Sequence, residues 1–198
     1  STVGSIRSMN SVATEFQVII DNMMNLEMLF WAAKHGGQQL WFDEAVSHAL
    51  KTAQNHVRPD GSTYQMVVYD PATGAVKARR TVQGVSADST WARGQAWAVH
   101  GFTMAYRETR DARFLDTARR VADWYLDHLP ADKIPYWDFN APGIPNEPRD
   151  TSAAAIAASG LVELSQLETD AVRSARYLAS ARSILTALLA PPWLSEGS

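Results

Sequence analysis

Six segments with apolar residues at three- and four-residue spacing follow one another along this chain, most of them joined by short links. An amphipathic helix buries its stripe most readily against other helices, and short links make sequence neighbours antiparallel. The pattern therefore predicts an all-α fold, with helices over about 22–35, 40–55, 89–108, 111–128, 151–167 and 170–189. In the fourth of these, Phe114, Leu115, Ala118, Val121, Ala122 and Tyr125 make the stripe. The fifth begins almost without bulk (Ala153, Ala154, Ala155), which allows close helix approach and places it on an inner layer. The fourth and sixth are ordinary amphipathic helices and are expected outside it.

One excursion interrupts the helices. A turn at Pro59-Asp60-Gly61 precedes the β-type run Tyr64 to Tyr69, and a second turn at Pro71 to Gly74 leads into Ala75 to Thr81. This predicts a small β-hairpin insertion.

Length allows one domain with a substantial core. With 18 basic against 21 acidic residues, the chain lacks the basic footprint of a nucleic-acid binder. No run reaches the roughly 18 apolar residues of a membrane span. The N-terminal stretch STVGSIRSMNSVATEF lacks the basic-then-apolar order of a secretory signal, and the expected compartment is the cytoplasm, with the periplasm as the alternative. Without cysteine there is no disulfide and no thiolate metal site. The five histidines show no paired-ligand spacing, and no phosphate-binding or dinucleotide motif is present, so neither a catalytic metal nor a cofactor is expected.

Asp21 follows the apolar run Phe16 to Ile20 at the start of the first helix, where Asp is a preferred N-cap. Among apolar and Met-rich neighbours its carboxyl would also be desolvated, which favours the protonated form that a general acid needs. Arg93 and Trp97 lie four residues apart and share a helix face. A guanidinium beside an indole suits an anionic sugar, and it equally suits a structural cation–π pair. Asp88 or Ser89 is the expected cap of that helix. Thr81 and Gln83 precede it on a loop and offer neutral hydrogen bonds to hydroxyls. Trp137 and Asp138 lie on the later Pro- and Gly-rich loop, and Trp137 is placed to line a sugar site or plug the end of a barrel. Asp150 reads most simply as the cap of the fifth helix.

The segments IIDNMMNLEMLFWA, HVRPDGSTYQMVVYDPATG, QGVSADSTWARGQAWAVHGFTMAYRET and PYWDFNAPGIPNEPRDTSAAAIAASGLVEL are together similar to the unsaturated glucuronyl hydrolases, glycoside hydrolase family 88. The resemblance implies part of an (α/α)6 barrel of the six-hairpin type, a single domain over 1–198 that lacks the family's early and last helices. It implies as substrate an oligosaccharide, made by a polysaccharide lyase, that ends in a Δ4,5-unsaturated uronic acid. Asp21 matches the Asp that protonates C4 of the vinyl ether and then helps water add at C5. The hemiketal so formed opens and releases the rest of the saccharide. Arg93 and Trp97 match residues that bind the unsaturated uronate, with Gln83 and Thr81 close by. The family's second Asp, upstream of the Asp21 position, lies outside these residues. Gln65 stands where relatives commonly carry His, which removes a titratable ring. An unsaturated rhamnogalacturonyl hydrolase and a non-catalytic sugar-binding helical module are the alternatives.

Overall fold

A computed structural model describes residues 1–9 and 13–194; residues 10–12, and with them part of the N-terminal stretch read for a leader, lie outside the described residues, as do 195–198. In chain order the elements are β1 (Phe16–Ile19), a 3-10 helix (Ile20–Asn25), α1 (Leu26–Lys34), α2 (Gln39–Asn55), β2 (Met66–Tyr69), β3 (Val76–Arg80), α3 (Ala92–Thr109), α4 (Ala112–Asp127), α5 (Thr151–Leu167) and α6 (Ala171–Leu188).

Helix α3 is the spine. It is buried along nearly its whole length, with α4 against one side and α5 against another, and α6 packs outside α5. The small residues of α5 produce the closeness expected of them. A Cβ built on Gly160 would stand 2.9 Å from the backbone of His100, so the α3 and α5 backbones meet there with nothing between them. All six apolar positions of the α4 stripe are buried. Gln95, buried within α3, donates to the carbonyls of Gly61 (2.9 Å) and Val121 (3.0 Å) and ties the loop after α2 to α4.

The caps follow residue chemistry at three helices. Asp111, Asp150 and Asp170 each accept backbone N–H bonds in the first turn of α4, α5 and α6, a contribution of about 1 kcal/mol apiece. Two expected caps are absent. Helix α3 begins at Ala92, with Trp91 at the cap position and no side-chain cap; the Ala92 N–H is taken by the Trp137 carbonyl at 3.0 Å. Ser89 instead binds Asp138 at 2.6 Å. Asp21 is not a cap either. The first helix does not start there: residues 20–25 wind more tightly as a 3-10 helix before α1, and Ile19 holds the cap position without a side-chain bond.

The hairpin also gains a strand. β2 and β3 pair antiparallel from Met66↔Arg80 to Tyr69↔Val76, with an irregularity between Val68 and Tyr69. β1 pairs antiparallel with the other edge of β2, Phe16↔Tyr69 to Ile19↔Met66. The run before Asp21 is thus a strand whose partner lies some fifty residues on. Central β2 is buried on both faces, whereas outer β3 carries exposed Lys77, Arg79 and Arg80. A second cluster (Val3, Phe16, Val18, Val67, Tyr69) fills the space behind the sheet. Several large apolar side chains remain exposed, among them Met28 at 75%, Trp31 at 60% and Val172 at 80%. No helix among the described residues is long and apolar enough to cross a membrane.

Candidate active site

The 3-10 helix carrying Asp21 lies on α3 because two glycines let it. Gly94 and Gly101 are seven apart and share one face of α3. A Cβ on Gly94 would stand 3.0 Å from the Ile20 side chain, and one on Gly101 would stand 2.4 Å from the Met23 Cβ. Ile20 is held from its other side, its N–H bonding the Gln65 carbonyl at 2.9 Å. Asp21 is therefore wedged beside the first turn of α3. One carboxylate oxygen is buried without a hydrogen-bond partner. Burial raises the carboxyl's pKa, while its own backbone N–H and the charge of Arg93 pull the other way.

On α3 the partly open positions Arg93, Trp97 and His100 form one face. Arg93 does not stack on Trp97 as the spacing suggested. Its guanidinium lies 5.3 Å from the ring centre of Trp91; its Nε donates to Oδ2 of Asp150 at 3.0 Å, and its Nη2 stands at ion-pair distance, also 3.0 Å, from the same oxygen. Trp97 instead makes an edge contact with His100, their ring centres 5.9 Å apart. These two line a cavity of about 460 Å³ with Met24, Ala155, Ile156 and Ser159. His100, whose pKa is lowered by burial, was not singled out in the sequence; its i+7 spacing from Arg93 was the available signal.

Thr81 and Gln83 are brought to the same end by Gln65. Its Oε1 accepts from Thr81 Oγ1 (2.6 Å), Val82 N (2.7 Å) and Gln83 N (3.1 Å), while its Nε2 donates to Gln83 Oε1 (2.6 Å). One buried amide thus closes the turn and, through its backbone, also holds Ile20. Trp137 arrives through the bond of its carbonyl to Ala92, and its indole N–H donates to Glu147 at 3.0 Å. Asp138 is fully buried and accepts from Ser89 Oγ (2.6 Å) and Val85 N (3.0 Å), so it braces the loop before α3. Arg58, unremarked in the sequence, stacks on Tyr64 at 3.9 Å and donates to Thr90 Oγ1 and to the Thr63 and Ser89 carbonyls. All seven candidates, Asp21, Gln65, Thr81, Gln83, Arg93, Trp97 and Trp137, therefore gather around α3, six of them at its N-terminal end. Among the described residues no three His, Asp or Glu side chains cluster as a metal set.

Asp21, the Arg93 guanidinium and the Trp91 indole thus meet at one end of α3, within a layer of helices flanked by a small sheet. No family model matches the chain. It is 50% identical over 167 residues to the unsaturated glucuronyl hydrolase of Formosa agariphila, across 82% of this chain and 42% of that protein. A solved unsaturated glucuronyl hydrolase specific for heparin superposes with a TM-score of 0.94 at 43% identity, over 98% of this chain and 52% of that one. A mutant of the Streptococcus agalactiae enzyme, solved with the unsaturated disaccharide dGlcA-GalNAc6S, superposes at 0.77 with 33% identity, over 91% of this chain and 48% of that one. By sequence and by backbone the chain is a homologue of the unsaturated glucuronyl hydrolases, which are glycoside hydrolases of (α/α)6 barrel fold. It spans about half the length of the relatives it matches.

Proposed function

We propose that this chain carries the proton-donating part of an active site that hydrates the C4–C5 double bond of a terminal Δ4,5-unsaturated uronic acid. The observation that carries the reading is Asp21, a carboxyl with a buried, unpartnered oxygen whose pKa burial raises, set beside Arg93. A protonated carboxyl is what an enol ether requires, since protonation at C4 generates an oxocarbenium at C5. The carboxylate left behind stabilises that cation and takes a proton from the incoming water. The C5 hydroxyl then gives a hemiketal that opens and frees the remaining saccharide. Attack is not at the anomeric carbon, so carboxylate spacing does not set the stereochemistry as it does in ordinary glycosidases.

Arg93 pairs with the uronate carboxylate, Trp97 and Trp137 offer ring faces to the sugar, and Thr81 and Gln83 meet its hydroxyls. Two relatives support this substrate class, one described as specific for heparin and another solved with dGlcA-GalNAc6S. The remaining helices of the ring, in the longer protein, cover exposed Met28, Trp31 and Val172. Incubating the full-length protein with unsaturated heparin, chondroitin and rhamnogalacturonan disaccharides, while following the double-bond absorbance, tests the reading. Loss is expected with the glycosaminoglycan products. Binding without consumption would make this a sugar-binding module, and preference for the rhamnogalacturonan product would reassign the substrate.

A further inference from the structure

The proposed uronate-binding arginine is held by a residue that has a separate job. Asp150 is 7% exposed and its two oxygens are divided. Oδ1 accepts from the Ala153 N–H at 2.8 Å and caps α5, while Oδ2 accepts from Arg93 Nε at 3.0 Å and pairs electrostatically with Nη2 at the same distance. The Nε bond holds the side of the guanidinium and leaves its far end, where one N–H of Nη1 and one of Nη2 run parallel and suit a carboxylate. The Trp91 ring lies beside the Arg93 guanidinium. An arginine side chain left unrestrained would have to be ordered by the ligand, at a cost in affinity.

We infer that Asp150 is a positioning residue for the uronate site, acting through Arg93: its capping oxygen anchors α5 while its second oxygen aims the arginine at the substrate carboxylate. The inference rests on the reading of Arg93 given above. It does not follow from the capping role alone, because Asn and Ser cap as well as Asp and would leave Arg93 without its acceptor.

That difference makes the test. In the full-length protein, Asp150→Asn and Asp150→Ser keep the cap, so the unfolding midpoint should stay close to that of the unaltered protein. KM for the unsaturated disaccharide should rise on the order of tenfold with kcat nearly constant, as when a binding interaction common to ground and transition state is lost. Arg93→Ala should raise KM at least as far, and adding Asp150→Asn to it should change KM no further, since the effect passes through the missing guanidinium. Equal effects of Asp150→Asn with and without Arg93, or an unchanged KM, would overturn the inference while leaving the proposed function standing. Failure of the unaltered protein to bind or consume any unsaturated disaccharide would remove both.

Discussion

A methyl group on Gly101 would stand 2.4 Å from the Cβ of Met23, so the Asp21-bearing 3-10 helix rests on α3 where only glycine fits. Gly101→Ala must push that helix outward, and overpacking of this kind costs about 1–3 kcal/mol. Denaturant titration should register the loss. Turnover should fall along with stability, because the displaced segment carries the proposed acid. A variant with normal kcat would separate the 3-10 helix from the chemistry.

Asp21→Asn should abolish turnover but leave disaccharide binding measurable by calorimetry, since Arg93 and the indoles remain. The same change should not weaken the fold at neutral pH. Burial raises the folded pKa of Asp21 above its unfolded value, so this group's contribution is most favourable at low pH and is lost as pH rises through the folded pKa. A neutral amide avoids that loss, and urea midpoints at pH 7 should be equal to or above those of the unaltered protein.

Acid should unfold the molecule through α2. His48 within α2 and His56 just past its end are buried, their pKa values pushed down to about 3 and about 4, chiefly by burial. The stability they contribute is fully present above the unfolded value of 6.5 and is lost as pH falls toward those lower values, because the unfolded chain takes up protons that the folded one refuses. Each histidine adds a slope of about 1.4 kcal/mol per pH unit inside that window. Unfolding free energies at pH 7 and pH 5 should differ accordingly, and His56→Gln should reduce the difference.

Gln65→Ala should loosen the 81–84 turn more than the fold. The change strands the N–H groups of Val82 and Gln83 and the hydroxyl of Thr81, which can reach water because the turn is partly exposed. KM should rise and kcat should hold. A collapse of kcat alone would instead place Gln65 in the proton chemistry.

Periodicity reached the helices because each is long and its stripe is local. All six were legible, and so were the inner place of α5 and the cap at Asp150. What failed was non-local. Phe16 to Ile19 became a strand only because β2 offers it a free edge from far along the chain. Asp21 lost its capping role because Gly94 and Gly101 draw residues 20–25 onto α3. Arg93 took Asp150 and Trp91 as partners over Trp97, a choice that the i+4 rule cannot register. The motif named residues that the fold sets near one another, but their contacts depended on which backbones could touch.

The charged outer strand has a consequence for how copies of this chain meet. β3 is an edge whose free backbone groups could template another strand. If two copies joined there antiparallel about Ala78, Lys77 of one would face Arg79 of the other, and like charges directly opposite oppose pairing. In that register the strand's own charges work against edge-to-edge pairing through β3.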